Sequence, residues 1–207
     1  MKYEWKKNDK TLYLPKAVPS VIDVPPASYF MLNGKGNPNH SDFEDAIGVL
    51  YSLSYTLKML PKKGVTPEGY FDYTVFPLEG IWDLEEDARH AAVLNKDKLV
   101  YTIMIRQPDF VTESLALEVI ETVSKKKPHP LLGKVTFGKL EEGLCVQMMH
   151  HGPYDDEPAS FAKMEQYCEE QGLKRSSKLH KEIYISDARK TPPEKLKTVL
   201  RFRAGRN

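Results

Sequence analysis

A chain of 207 residues, 41% hydrophobic and 29% charged, carries enough apolar side chains to bury a core without disulfide or metal staples, which excludes wholesale disorder. Its 30 Lys and Arg stand against 29 Asp and Glu, so no global field draws it to nucleic acid or to an anionic membrane surface. Cys145 and Cys168 are the only cysteines, and MKYEWKKNDK has no apolar stretch behind its basic residues; both features point to a reducing cytoplasm.

In chain order, residues 1–26 carry Pro15, Pro19, Pro25 and Pro26 and read as an extended arm on the body, because proline blocks regular helix and restricts the residue before it. Ala27 to Asn33 reads as a strand and GKGNPN at 34–39 as a turn. Phe43, Ile47, Leu50, Tyr51, Leu57 and Leu60 recur at helical spacing, which predicts a helix over 42–60 with Ser41 as its N-cap and Glu44 completing a capping box. Tyr70 to Phe76 and Leu78 to Asp83 predict a strand pair interrupted near Pro77. Lys98 to Arg106 predicts a strand and Thr112 to Lys126 a helix capped by Thr112 or Ser114. The second half repeats the order. Val135 to Leu140 and Leu144 to His150 predict strands, Gly152-Pro153 a turn, Asp156 to Gln171 a helix closed by Gly172, and His180 to Asp187 and Thr198 to Phe202 strands.

No apolar run approaches the roughly 20 residues of a membrane-spanning helix. The expectation is therefore an α+β protein: one domain over 27–207, made of half-repeats at about 27–126 and 135–203. Duplicated strand–helix–strand–strand units would form one antiparallel sheet, with helices on one face and a ligand cleft on the other.

The strand HKEIYISD is the most informative segment. Alternation places His180, Glu182, Tyr184 and Ser186 on one face and Lys181, Ile183, Ile185 and Asp187 on the other. With the isoleucines under the helices, Glu182 and Tyr184 face the cleft. A carboxylate there must be paired or desolvated, conditions common at functional sites, although a salt-bridged Glu on a solvated face has the same pattern. Aromatic faces around one carboxylate suit organic cations and flat conjugated molecules. Trp82, alternating with Ile81, is a candidate for the same cleft, as well as for the core. Glu79 falls on the opposite face unless the Pro77 region bulges.

His150, His151 and Tyr154 lie where the chain turns at Gly152; adjacent histidines of a regular strand point to opposite faces and cannot share a metal. His40, His90 and His129 are isolated and read as surface residues. No ligand-spaced His/Cys cluster, GxSxG, P-loop or Rossmann spacing is present, so neither a metal nor another cofactor is expected.

The segments LYLPK, VPPASYFMLNGKGNPN, LYSLSYTLKM, VFPLEGIWDL, IRQPDFVT, EEGLCVQMMHHGPYDDEP and HKEIYISDARKTPPEKLKTVLR run from about residue 11 to 202. Together they resemble the stand-alone subfamily of GyrI-like small-molecule-binding proteins. The resemblance implies a pseudo-twofold pair of strand–helix–strand–strand units with a ligand-facing glutamate on the late strand, which falls on Glu182, and an aromatic neighbour at Tyr184. The family shares its fold with effector domains of multidrug-sensing transcription factors. No helix-turn-helix segment is read before residue 27 or after 187, so direct DNA binding is not expected. Some stand-alone members are hydrolases that open the activated cyclopropane of DNA-alkylating natural products of the yatakemycin type. By that resemblance Trp82 and Tyr184 would cage the ligand, Glu182 would activate water, and Tyr154, His150 or Arg106 would stabilise the developing oxyanion. The other reading is a binding protein, in which Glu182 is the counter-charge of a captured cation, or a ligand-responsive partner of a regulator or of gyrase. The partner in either case is an apolar or cationic aromatic small molecule. The oligomeric state stays open.

Overall fold

The computed structural model of the chain describes residues 2–89 and 94–206; His90 lies outside them. Its elements in chain order begin with two single-turn helices, α1 (Trp5–Asn8) and α2 (Lys10–Tyr13), followed by strands β1 (Ser20–Val24) and β2 (Ala27–Lys35). Helix α3 (Ser41–Lys58), β3 (Leu78–Leu84), β4 (Leu99–Gln107), α4 (Glu113–Lys126) and β5 (Thr136–Leu140) come next. The chain finishes with β6 (Gly143–His151), α5 (Glu157–Glu170), β7 (Leu173–Arg175), β8 (His180–Tyr184) and β9 (Lys197–Arg206). The fold class is α+β, and the strand pairings β1–β6, β2–β4, β2–β5, β3–β8, β6–β9, β7–β9 and β8–β9 are antiparallel.

Two compact units divide the chain. The first comprises residues 1–4, 27–78 and 83–140. In it β2 lies between β4 and β5, with Phe30 opposite both Ile105 and Phe137. Helices α3 and α4 contact each other and the sheet, α3 burying Leu50, Leu53 and Leu57 and α4 burying Ala116, Val119 and Val123. Apolar residues at helical spacing have nowhere else to leave water. Thr112 caps α4 as expected, its hydroxyl accepting from the Leu115 N–H at 3.2 Å. Helix α3 has no such cap: it begins at Ser41 itself, so the Ser41–Glu44 capping box does not form. Tyr70–Phe76 is not a strand either. Apart from one parallel bridge, Tyr3 to Tyr73, the segment serves as an aromatic cluster, with Tyr70, Phe71 and Tyr73 ringing Phe110 at 5.2–6.1 Å. Its alternating aromatics reflect packing between rings rather than a ladder.

The second unit comprises residues 5–26, 79–82 and 141–207. Its strands run in the order β1, β6, β9, β8, with residues 79–82 of β3 completing the edge beside β8 and β7 pairing with the end of β9. Helix α5 sets Met164 and Cys168 against Val146, Met148, Leu200, Phe202 and Ala204, which form one buried apolar cluster. The strands lie close to the sequence-based expectation, but residues 1–26 do not. Trp5 to Tyr13 fold as α1 and α2, upstream of every proline, and Ser20–Val24 pairs with β6, so residues 5–26 of the expected extended arm are an integral part of this unit.

Candidate functional site at the start of helix α5

Register fixes which side chains of β8 share a face. Glu182 stands opposite Leu200 and Gly80, Tyr184 opposite Thr198, and His180 opposite Trp82. Leu200 belongs to the cluster under α5, so the Glu182 face is the face that α5 covers. The expectation that Ile183 lies beneath the helices is corrected: alternation tells which residues point together, not which side carries the helix.

The opposite face holds Lys181, whose Nζ donates to Glu79 at 3.0 Å and to Glu142 at 2.6 Å. Arg201 donates to Gln147 Oε1 and to the Leu12 carbonyl, Gln147 donates to the Thr11 carbonyl, and the Tyr13 hydroxyl donates to Glu79. Burial alone would lower the Lys181 pKa, but Glu79 and Glu142 outweigh it and hold it above its ordinary value. Glu79 is thus an interior ion-pair partner 1% exposed, on the face away from Glu182, as alternation predicts.

On the α5 face the polar groups form a directed chain. The Trp82 indole N–H donates to the Tyr184 hydroxyl at 2.8 Å, and that hydroxyl donates to Glu182 Oε2 at 2.7 Å. Gly80 makes the first of these bonds possible, since a Cβ there would lie 2.7 Å from the indole nitrogen and 3.3 Å from the tyrosine oxygen. His180 Nε2 lies 3.1 Å from Glu182 Oε1, and its Nδ1 lies 3.4 Å from the Lys178 carbonyl. The His180 ring meets Phe161 of α5 edge-on at 4.7 Å. Tyr154, just before α5, meets Tyr184 at 88° and 6.0 Å.

The fifth member is Glu157, the first residue of α5. Gly152, at φ +120°, takes a backbone conformation that glycine tolerates and other residues rarely enter, and so turns the chain out of β6. Pro158 then sets the first helical turn. Glu157 is 6% exposed, its Oε1 has no hydrogen-bond partner, and one of its oxygens lies within 4.8 Å of ligand atoms of both His180 and Glu182. Burial pushes its carboxyl up to about 10, and the neighbouring Glu182 carboxylate adds to the shift. The same two causes raise Tyr184 well above the ordinary phenol range and Tyr154 up to about 12.

Of the residues expected from sequence, Glu182, Tyr184, Trp82 and Tyr154 come together. His150 shares their face but its ring nitrogens are engaged, Nδ1 with Ser160 Oγ at 2.9 Å and Nε2 with the Pro153 carbonyl at 3.1 Å. Arg106 belongs to the first unit, where its guanidinium lies over the Phe76 ring at 4.9 Å. Sequence reasoning did not single out Glu157 or His180. A signal existed for Glu157: it shares the helical stripe of Phe161, Met164 and Cys168, an acid on an otherwise apolar face. His180 was already on the Glu182 face by alternation.

A family model, the GyrI-like small-molecule binding domain, matches residues 18–204. A hydrolase from Listeria innocua is 38% identical, with a TM-score of 0.89, over 98% of this chain and 100% of its own. An uncharacterized conserved protein from Listeria innocua is 39% identical, with a TM-score of 0.91 over the same shares. The EcmrR C-terminal domain, at 13% identity and a TM-score of 0.52 over 91% of this chain and 98% of its own, shares the fold alone. A search of the curated proteins finds no match. With a family model spanning nearly the whole chain, the chain belongs to the GyrI-like small-molecule-binding domain family.

Proposed function

We propose that this protein is a hydrolase that opens the activated cyclopropane of flat, DNA-alkylating molecules with water, and that the reaction is carried by Glu182 and Glu157. The observation that supports it is the pairing of two buried carboxyls, one of which, Glu157, keeps its proton through the neutral range while the other accepts from Tyr184. Two adjacent carboxyls in a desolvated site hold one proton between them, and the carboxyl free of it is a base. The likeness to hydrolases of Listeria innocua at 38% identity favours turnover over simple capture.

In this mechanism a spirocyclopropyl-dienone stacks against Trp82 and Tyr184. Glu182 takes a proton from water as the water oxygen bonds to the cyclopropane methylene. The strained carbon–carbon bond breaks, and its electron pair passes through the dienone to the carbonyl oxygen as the ring becomes aromatic. Tyr154, kept protonated by burial and by Glu182, donates a hydrogen bond to that oxygen. Glu182 then returns its proton to solvent. Strain supplies much of the driving force, and a positioned base contributes a factor of about 10² to 10⁴.

The binding reading rests on the same geometry: a carboxylate between Trp82 and Tyr184 also suits an organic cation. One experiment separates the two. Purified protein is incubated with a cyclopropane-containing alkylator and the products are followed by mass. Catalytic formation of the ring-opened alcohol, lowered about 10² to 10⁴-fold in Glu182→Gln, supports hydrolysis. Stoichiometric protection without alcohol supports capture alone.

A further inference from the structure

We propose that Glu157, His180 and Glu182 form a binding site for a borderline divalent transition cation such as Zn²⁺ or Co²⁺, a capacity that ring opening by water does not require. The three donors combine one imidazole nitrogen and two carboxylate oxygens, come from two different elements, and all lie within 4.8 Å of one another. The His180 Nε2 to Glu182 Oε1 separation of 3.1 Å is close to the edge of a tetrahedral sphere whose ligands stand about 2.0–2.2 Å from the metal. Calcium and magnesium are poorer candidates, because they need six or more oxygen ligands.

Two of the three ligands are also oriented from behind, as metal ligands require. The Lys178 carbonyl, 3.4 Å from His180 Nδ1, accepts from it once a metal replaces the Nε2 proton that the 3.1 Å contact with Glu182 requires. The Tyr184 hydroxyl holds the other oxygen of Glu182 at 2.7 Å. An independent feature marks the centre as short of positive charge: Glu157 Oε1 is buried without a hydrogen-bond partner. On the other face of β8, by contrast, Lys181 and Arg201 meet Glu79 and Glu142. The partial positive charge at the start of α5, about half an elementary charge, opposes a cation, and a metal must also displace the proton that Glu157 holds.

The test is titration of metal-stripped full-length protein with Co²⁺, read by its visible ligand-field absorption, and with Zn²⁺, read by calorimetry. One-to-one binding is expected, weakened at least about tenfold in His180→Gln and in Glu157→Gln and unchanged in the surface control Glu169→Gln. Thermal melts of the variants establish that they are folded. Absence of any Co²⁺ absorption or Zn²⁺ heat up to about 1 mM metal overturns the inference. So does binding that is unchanged in folded His180→Gln and Glu157→Gln. Neither readout depends on turnover, so a protein that binds metal without opening cyclopropanes, or the reverse, separates this inference from the proposed reaction.

Discussion

The two faces of β8 carry buried charge in opposite ways. On one, Lys181 and Arg201 meet Glu79 and Glu142, so two cations balance two anions, while Gln147, Tyr13 and the carbonyls of Thr11 and Leu12 take up remaining donors and acceptors. On the other, Glu157 and Glu182 stand together with only His180 as a basic neighbour among their described contacts, and the Glu157 carboxyl answers by holding its proton up to about 10. A charge network that closes on itself supports the fold. One left short of a counter-charge, beside aromatic rings, is arranged for something that arrives. Both arrangements sit within five consecutive residues, His180 to Tyr184, because neighbouring side chains of a strand point to opposite sides.

The comparison is broken most forcefully at Lys181. Lys181→Met leaves Glu79 and Glu142 buried without their shared cation and should cost about 3–5 kcal/mol in chemical denaturation. Adding Glu79→Gln should recover part of that loss. A change below 1 kcal/mol, on the order of an exposed pair, would show that this network is not the fold's buried anchor. Glu182→Gln should behave in the opposite sense, removing activity while leaving stability equal or higher, since it takes a charge out of an uncompensated site.

A smaller effect is expected at Gly80. Gly80→Ala places a methyl group 2.7 Å from the Trp82 indole nitrogen, so the indole must leave the Tyr184 hydroxyl. Overpacking of this kind costs about 1–3 kcal/mol, and the loss should appear in ligand affinity measured by Trp fluorescence as well as in the thermal midpoint. Unchanged affinity and midpoint would mean that the Trp82–Tyr184 bond does not organise the site.

The mildest test is pH. Glu157 has a folded value of about 10 against an ordinary carboxyl value of 4.5. Between those two values the folded state holds a proton that the unfolded state has lost, so the Glu157 contribution to stability is intact below 4.5 and declines as pH rises toward 10. Glu157→Gln removes that slope. Its stability relative to the wild type should therefore rise steadily between about pH 5 and about pH 9, measured by urea denaturation at several pH values. A parallel pair of curves would show that Glu157 titrates normally.

Much of this was legible in the sequence because it depends on periodicity. The long helices α3, α4 and α5 and the strands β2, β4, β6, β8 and β9 follow from apolar spacing and alternation, and alternation by itself set Glu182, Tyr184 and His180 on one face and Lys181 on the other. In the first 26 residues four prolines suggest extension, whereas the helical turns Trp5–Asn8 and Lys10–Tyr13 precede all four and are held by buried Trp5 and by hydrogen bonds from Gln147 and Arg201 across more than a hundred residues. Tyr70–Phe76 has strand-like composition but gathers around Phe110 instead.

What the sequence determined alone was local: which side chains share a face, that three long helices run in the order α3, α4, α5, and that a glutamate lies on the late strand. Which face α5 covers, which acid at its start turns inward, and which of the buried charges find partners were decided by tertiary structure. The reason is that desolvation and charge compensation depend on groups brought from distant parts of the chain, Glu157 to Glu182 on one side and Glu79 to Lys181 on the other.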